Sequence, residues 1–312
     1  MTSLRFTKGH GTENDFVLLD DRTGVLDLTP ALVRALTDRR AGIGGDGVIR
    51  VAPTASLPEG AAILASDPAA VWFMDYRNGD GSVAEMCGNG VRVFAAYLER
   101  LGLAVVPGSA ADDGAGLAIG TRAGVRSVRR EPNGWYAVDM GPWHLTGGVE
   151  AALAGTGVAV AVAGLTAVRP ALRVDVGNPH VVLALADADE LAGADLTRAP
   201  EVRPEPRGGT NVELVVPLGE EQADDGTVVG RVRMRVHERG AGETRSCGTG
   251  ACAAALAVRT WAGAGALDVW FVDVPGGTVR VRVLASGHVE LAGPAALVAE
   301  GEIDLDALTG TR

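Results

Sequence analysis

The 312-residue sequence contains one lysine, Lys8, among 28 basic residues. Enzymes that depend on pyridoxal phosphate need a lysine for the Schiff base, and a phosphate-binding P-loop needs a lysine after its glycines. This scarcity argues against both classes of protein. The charge balance is acidic, with a net charge of −11 and no basic run that would neutralise phosphates. Nucleic acids and anionic membranes are therefore not expected as partners.

Cysteine is scarce as well, with three residues in the whole chain. Three cysteines cannot form the disulfide framework of a small secreted domain. The segment 1–8 also lacks the apolar core of a secretory signal, so we expect a cytoplasmic protein with reduced thiols. With 47% apolar residues, the chain is long enough for about two average domains with substantial cores.

Two of the cysteines lie in nearly identical surroundings, at 87–90 (Cys-Gly-Asn-Gly) and 247–250 (Cys-Gly-Thr-Gly). The second motif follows the first by 160 positions. The segment that begins at Asn178 follows a similar segment, beginning at Asn14, by 164 positions. An internal period of this length indicates a duplicated domain rather than a solenoid, whose repeats span roughly 20 to 50 residues.

Hydrophobic patterning predicts a strand, a glycine-rich loop and then a helix around each cysteine. Residues 231–237 alternate polar and apolar side chains before Cys247, and helix-forming residues dominate 251–261. Other helices are predicted at 30–38 and 187–192. Strands outnumber helices without regular alternation, which predicts an α+β fold. The other strands are predicted at 17–20, 71–75, 118–121, 125–128, 135–140, 172–176, 181–185, 212–216, 279–284 and 296–299.

The predicted position of Cys87 and Cys247 at helix N-termini bears on their chemistry. Unpaired backbone N–H groups and the positive end of the helix dipole favour a thiolate there, so we expect two reactive thiols. Two thiols on opposite faces of one carbon can act as base and acid, which inverts a stereocentre. The glycines after each cysteine let a substrate carboxylate approach the helix start, where backbone dipoles stabilise the charge that develops as the proton leaves.

Other interpretations of the cysteines stay open from spacing alone. A single-cysteine hydrolase would need a partner histidine, and His180 and His237 are available. A thiol redox enzyme is disfavoured because the sequence has no Cys-x-x-Cys motif. Cys252, within the second cysteine helix, is expected to be a packing residue.

Six ordered motifs make the sequence similar to the diaminopimelate epimerase family, whose members interconvert L,L- and meso-diaminopimelate without a cofactor. Each motif alone is short, but together they span nearly the whole chain in the family's order. They lie at 8–16 (Lys-Gly-His-Gly-Thr-Glu-Asn-Asp-Phe), 42–47 (Gly-Ile-Gly-Gly-Asp-Gly), 77–82 (Arg-Asn-Gly-Asp-Gly-Ser), 177–180 (Gly-Asn-Pro-His), 210–213 (Thr-Asn-Val-Glu) and 238–244 (Glu-Arg-Gly-Ala-Gly-Glu-Thr).

The resemblance implies that Cys87 and Cys247 are the acid/base pair for proton transfer at one α-carbon, with no cofactor and no metal ion. The substrate is a double amino acid, so its distal end needs a cation such as Arg239 and acceptors such as Glu238. His180 is expected to support the site wall. The residues that the resemblance assigns to substrate binding are Asn14, Asn78, Gly88, Asn89, Asn178, Asn211, Glu238, Arg239, Gly248 and Thr249.

The resemblance further implies two pseudo-symmetric α+β domains, each a mixed β-sheet wrapped around a central helix, with the active site in the interdomain cleft. The predicted N-terminal epimerase domain comprises residues 1–133 plus 294–312 and contains Cys87. The predicted C-terminal epimerase domain comprises residues 134–293 and contains Cys247. Many relatives are homodimers, so a homodimer is an expectation.

One departure from the family concerns Gly47, where many relatives carry a glutamine that contacts the substrate. That contact is expected to be lost, replaced by water or supplied elsewhere. Two rival functions are another cofactor-independent racemase of the superfamily, such as a proline-racemase-like enzyme, and a non-catalytic amino-acid-binding protein. Arg239 with Glu238 argues against the first because a monocarboxylic substrate offers no distal amino acid. The two activated thiols argue against the second.

Overall fold

The computed structural model describes residues 3–108, 116–153, 157–223 and 226–310. Strands outnumber helices in these residues, and the fold is α+β, which confirms the predicted class. The helices are α1 (Pro30–Thr37), α2 (Gly60–Ser66), α3 (Gly88–Arg100), α4 (Gly148–Leu153), α5 (Ala188–Gly193), α6 (Gly248–Ala262) and α7 (Leu305–Thr309), with a 3₁₀ turn at Thr54–Ser56. The strands are β1 (Ser3–Gly11), β2 (Asn14–Asp20), β3 (Gly47–Pro53), β4 (Trp72–Asn78), β5 (Leu117–Thr121), β6 (Gly124–Arg130), β7 (Tyr136–Pro142), β8 (His144–Leu145), β9 (Ala159–Ala161), β10 (Arg169–Pro170), β11 (Leu172–Asp175), β12 (Pro179–Ala184), β13 (Glu201–Arg203), β14 (Asn211–Gln222), β15 (Val228–Glu238), β16 (Gly242–Thr244), β17 (Val269–Val274), β18 (Gly277–Val283), β19 (His288–Gly293) and β20 (Ala296–Asp304).

The chain forms two compact units. The first is built from residues up to Val138 and from Gly293 onward, and the second from residues 139–292. The predicted domain boundaries lie within a few residues of these limits, and the assignment of each unit as an independent domain stays a prediction. Each unit contains one of the two cysteine motifs.

In the first unit, the strands form one mixed sheet in the order β20-β1-β2-β3-β4-β5-β6-β7. Neighbours are antiparallel except for β2 with β3 and β4 with β5, which are parallel. Helix α3 packs against strands β20, β1, β2, β3, β4 and β6, and all its residues from Gly88 to Leu98 are buried. The sheet therefore wraps around a central helix, as the family resemblance implies.

The second unit repeats this arrangement strand for strand. Its main sheet has the order β8-β11-β12-β14-β15-β17-β18-β19, again with two parallel pairs, β12 with β14 and β15 with β17. Equivalent registers pair Phe16 with Gly47 in the first unit and His180 with Asn211 in the second. Helix α6 takes the central place of α3. The topology thus confirms the duplication predicted from the sequence period.

Helices α3 and α6 begin at the cysteines for a local reason. Each cysteine is the N-cap residue, with extended backbone, and its sulfur accepts the N–H of the third helical residue at 3.4 Å. The sulfur therefore takes the capping position that a serine or aspartate oxygen commonly takes. Gly263 follows α6 as its C-cap residue, and its φ of 77° permits the chain to leave the helix. The predicted helix N-termini at Cys87 and Cys247 are confirmed.

A buried ionic cluster surrounds Asp75 on β4 in the first unit. Its fully buried carboxylate lies 2.7 Å from Arg50, 2.9 Å from Arg77 and 2.7 Å from Arg122. Burial raises the pKa of Asp75, but hydrogen bonds from Arg77 and Arg122 outweigh burial and leave the pKa below its ordinary value. Three guanidinium groups therefore keep one interior carboxylate ionised.

In the residues that the structure describes, no disulfide joins Cys87, Cys247 or Cys252. Cys252 is fully buried inside α6, as expected for a packing residue. Within the same residues, no three His, Cys, Asp or Glu side chains are grouped so that they could hold a metal ion. None of the described helices is long and apolar enough to cross a membrane.

Candidate active site

The half-site of the first unit surrounds Cys87 at the start of α3. The side chain is half-buried, and its sulfur lies 3.5 Å from Oδ1 of Asn14 on β2. The Asn89 amide donates to the same oxygen at 3.2 Å. Gly88 and Asn89 open the helix, where backbone N–H groups lack partners within the helix and can bind an anion. The structure therefore brings Asn14, Gly88 and Asn89 to Cys87.

Asn78 ends β4 directly opposite Gly47 on β3. Its side-chain amide donates to the Ser82 hydroxyl at 3.0 Å, and its backbone N–H donates to the Ser82 carbonyl at 3.0 Å. These contacts are those of a turn residue rather than of a partner of Cys87. The predicted contact of Asn78 with substrate therefore stays a prediction.

Gly47 leaves no space for a larger side chain. A Cβ atom at this position would lie 2.4 Å from the backbone oxygen of Arg77 and 2.6 Å from Cε2 of Tyr76. The Tyr76 ring packs edge-on against Phe16, with ring centroids 5.7 Å apart. A glutamine at position 47 would therefore displace both the tyrosine and the neighbouring strand.

The half-site of the second unit surrounds Cys247 at the start of α6. Cys247 is 6% exposed, and its sulfur lies 3.6 Å from the hydroxyl of Thr249. The Asn178 amide donates to that hydroxyl at 3.3 Å. Gly248 and Thr249 open the helix, as Gly88 and Asn89 open α3. The structure therefore brings Asn178, Gly248 and Thr249 to Cys247.

A buried histidine–glutamate pair lies behind this half-site. His180 Nδ1 and Glu213 Oε1 are 2.7 Å apart, and neither side chain is exposed. His180 Nε2 lies 3.0 Å from Oδ1 of Asn178. The histidine therefore supports Asn178, which is the role expected of it. Its hydrogen bonds go to Glu213 and Asn178, and they do not form the Cys-His arrangement of a hydrolase.

The corresponding positions in the first unit are apolar. The matched strand registers make Phe16 the counterpart of His180 and Ile49 the counterpart of Glu213. Both Phe16 and Ile49 are fully buried. Sequence reasoning did not assign a role to Glu213, although the 164-residue offset aligns it with Ile49 and so exposes the difference. The two thiols thus share backbone geometry but differ in their electrostatic surroundings.

Glu238 ends β15 and lies beside Cys247. Its carboxylate accepts a hydrogen bond from the Thr244 hydroxyl, and its charge raises the pKa of the nearby Cys247 thiol. Burial raises the pKa of Glu238 above its ordinary value. The expectation that Glu238 accepts a hydrogen bond from the distal ammonium group of the substrate stays a prediction.

The environment of Cys247 determines its protonation. Burial, followed by the nearby carboxylates of Glu238 and Glu213, raises the pKa of the Cys247 thiol well above its ordinary value. The Thr249 hydroxyl and the Gly250 N–H oppose this shift. The expectation that the helix N-terminus favours a thiolate is therefore wrong for Cys247. Loss of hydration and two carboxylates outweigh the helix dipole, so this sulfur carries its proton at neutral pH.

Arg239 lines a cavity of about 600 Å³ in the second unit, together with Thr210 and His237. Its backbone N–H donates to Oδ1 of Asn211 at 2.9 Å, and its guanidinium donates to the Gly208 carbonyl at 2.9 Å. Asn211 therefore fixes the backbone that presents the predicted cation. The cavity volume lies in the range of small-molecule sites.

Comparison with known proteins decides the family. The family model for diaminopimelate epimerase matches residues 6–146 and 172–298. The chain belongs to the diaminopimelate epimerase family. Among members of this family, the diaminopimelate epimerase of Streptomyces coelicolor is 47% identical, over 99% of this chain and 98% of that protein. The diaminopimelate epimerase of Thermobifida fusca is 50% identical, over 98% of this chain and 100% of that protein.

Solved structures of other proteins share the fold of this chain. A hydroxyproline epimerase from Agrobacterium vitis aligns with a TM-score of 0.57 at 14% identity, over 97% of this chain and 93% of that one. A phenazine biosynthesis protein of the PhzF family from Bacillus anthracis aligns with a TM-score of 0.59 at 15% identity, over 97% and 99% of the two chains. At these identities the likeness concerns the fold alone, and it confirms the predicted epimerase-type architecture.

Proposed function

We propose that this member of the family interconverts L,L- and meso-2,6-diaminopimelate by proton transfer at one α-carbon, in the synthesis of lysine and peptidoglycan precursors. The observation that carries the proposal is the pair of matched half-sites, each with a cysteine at the N-terminus of its unit's central helix. One half-site alone cannot invert a stereocentre, because inversion needs proton removal on one face and delivery on the other. The names of relatives at 47% and 50% identity support the choice of substrate.

The proposed reaction needs one thiolate and one thiol. The thiolate takes the α-proton, the two electrons of the C–H bond pass to the α-carbon and its carboxylate, and the other thiol delivers its proton to the opposite face. The roles of the two sulfurs are then exchanged, so the reverse reaction starts from the product. N–H groups at Gly88, Asn89, Gly248 and Thr249 are proposed to hold the α-carboxylate and stabilise its charge.

We infer that Cys247 is a thiol in the substrate-free protein. Burial and the carboxylates of Glu238 and Glu213 support this assignment, because both raise the pKa of Cys247. The half-buried Cys87 has Phe16 and Ile49 at the positions that His180 and Glu213 take in the other unit.

The remaining predicted residues are proposed to select the substrate. Glu238 would accept a hydrogen bond from an ammonium group of the substrate, since its carboxylate lies near Cys247. Arg239 would bind the distal carboxylate from the wall of its cavity. Asn14, Asn78, Asn178 and Asn211 would supply amide donors and acceptors to the rest of the molecule.

The proposal also includes a cytoplasmic location and a homodimer. The mechanism needs Cys87 and Cys247 reduced, and a reducing compartment keeps thiols reduced, which supports the location. Light scattering of the purified protein measures the assembly state directly.

Purified protein is expected to convert L,L-diaminopimelate to the meso isomer under reducing conditions without added cofactor. Chiral chromatography follows the product, and pretreatment with hydroxylamine, which removes pyridoxal phosphate, should leave the rate unchanged. Proline serves as the control substrate and should not racemise, because it has no distal amino acid for Arg239 to bind. Racemisation of proline without turnover of diaminopimelate would instead favour a proline-racemase-like enzyme.

A further inference from the structure

The orientation of the Asn14 side chain is fixed at its far end by Asp46. Nδ2 of Asn14 lies 2.7 Å from Oδ2 of Asp46, which also accepts the backbone N–H of Asp15 at 3.1 Å. An ionised carboxylate can only accept hydrogen bonds, so the amide nitrogen of Asn14 must face Asp46. The amide oxygen must then face the other way, where it lies 3.5 Å from the sulfur of Cys87.

The Asn89 amide is fixed in a similar way. Arg92, fully buried on α3, donates through Nη2 to Oδ1 of Asn89 at 2.9 Å. A guanidinium offers no acceptor, so the oxygen of Asn89 faces Arg92 and its nitrogen faces Oδ1 of Asn14 at 3.2 Å. The two amides thus form a chain that ends in a carboxylate and a guanidinium. Flipping either amide would break a charged hydrogen bond.

The outer face of Asp46 belongs to a more exposed ionic cluster. Arg39 bridges Asp46 at 2.8 Å and Asp15 at 2.6 Å, and Lys8 pairs with Asp15 at 2.6 Å. The Arg39 side chain is 58% exposed and that of Asp46 is 37% exposed, so their ion pair contributes little to stability. The contact between Asp46 and Asn14 links Asp46 to the Cys87 thiol, because the Asn14 side chain contacts the sulfur.

We propose that Asp46 is a positioning residue, which holds the Asn14 amide so that its oxygen, rather than its NH₂ group, faces the Cys87 sulfur. The inference rests on the proposed function, in which Cys87 exchanges protons with the substrate. The oxygen accepts a hydrogen bond from the thiol form of Cys87, whereas an NH₂ group would donate to the thiolate and stabilise it. Asp46 thereby favours the thiol form of Cys87, which must deliver a proton to the substrate in one direction of the reaction.

The test compares Asp46→Ala with two matched variants. Asp46→Asn removes the charge but keeps an oxygen that can accept from Asn14, and Arg39→Gln removes the outer ion pair but keeps the carboxylate. We expect kcat to fall about 10- to 100-fold in Asp46→Ala. The matched variants should change kcat less than about threefold, because exposed ion pairs are weak. In an Asn14→Ala background, Asp46→Ala should have little further effect, because it acts through Asn14.

A second measurement does not depend on epimerase activity. The rate of Cys87 alkylation by iodoacetamide, followed by peptide mass spectrometry across pH, reports the thiolate fraction. Its midpoint should shift to lower pH by on the order of one unit in Asp46→Ala and stay in place in Arg39→Gln. A purely structural role would lower the thermal unfolding midpoint without shifting the alkylation profile.

Two outcomes would overturn the inference: an unchanged Cys87 alkylation profile in Asp46→Ala, or equal losses of kcat in Asp46→Ala and Asp46→Asn. If Asp46→Ala does not fold, Asp46→Ser replaces it in every measurement, because serine leaves a small polar group for the Asp15 N–H. A wild-type protein that does not epimerise diaminopimelate would contradict the proposed function instead. The alkylation profile would still decide the role of Asp46.

Discussion

Replacing either Cys87 or Cys247 with alanine is expected to lower kcat for diaminopimelate epimerisation by about 10³-fold or more, with the protein still folded. Each thiol serves one face of the α-carbon, so neither can substitute for the other. The structural cost is small, because the lost interaction is one sulfur N-cap, and an N-cap contributes about 1 kcal/mol. The epimerisation rate and the far-UV circular dichroism spectrum are measured on the same preparations.

Cys252→Ala is the matched control for the two cysteine variants. It removes a thiol from the interior of α6 but leaves both helix N-termini intact. Its activity should stay close to that of the wild type. A wild-type rate in either Cys87→Ala or Cys247→Ala would contradict the paired mechanism.

Replacing Asp75 with asparagine is expected to lower the free energy of unfolding by about 3 to 5 kcal/mol at neutral pH. The substitution leaves the guanidinium groups of Arg50, Arg77 and Arg122 around a site that no longer carries a negative charge. The carboxylate has a lowered pKa in the folded protein. Its contribution is therefore fully present above the ordinary aspartate pKa and is lost as pH falls through the lowered value.

Denaturant unfolding at neutral and acidic pH measures this difference. The difference in the free energy of unfolding between wild type and Asp75→Asn should become smaller at acidic pH, because the wild-type carboxylate becomes protonated. Asp20→Asn is the control, since Asp20 pairs with Arg22 at the surface and should change stability by no more than about 1 kcal/mol. Equal effects of the two substitutions, or a gap that does not depend on pH, would refute this account of the cluster.

Elements with strong local signals are predicted well from the sequence. Helix α1 is capped by Thr29, whose hydroxyl accepts the Leu32 N–H, and it has proline at its first position. Strand β15 shows the alternation of a half-buried strand over 231–237. The two cysteine helices follow from helix-forming residues after a capping side chain. In each case the signal lies within a few residues of the element that it predicts.

Strands β1 and β3 are missed because their stability comes from distant partners. Strand β3 contains Arg50, which is buried like its neighbours, and pairing with Asp21 and Asp75 makes this buried charge tolerable. Strand β1 contains glycines that weaken the strand pattern, and it pairs with β20 near the other end of the chain. Local composition does not contain this information.

For the candidate site as well, some features can be predicted from local sequence and others depend on the fold. The matched motifs indicate Cys87 and Cys247 directly, because each lies between a strand and a helix in a repeated order. The protonation of Cys247 depends on Glu213 on β14 and Glu238 on β15, which become its neighbours only in the folded protein. The role of Asp46 is equally hidden, since it acts on Cys87 through Asn14.

The most direct test of the two-thiol mechanism is the fate of the α-hydrogen when L,L-diaminopimelate reacts in deuterium oxide. Mass spectrometry of the early product and of the unreacted substrate measures where the deuterium enters. Two sulfurs acting on opposite faces predict that the first meso product carries solvent deuterium at the inverted carbon, while recovered L,L isomer remains largely unlabelled. A meso product that retains the original hydrogen at that carbon would contradict the account.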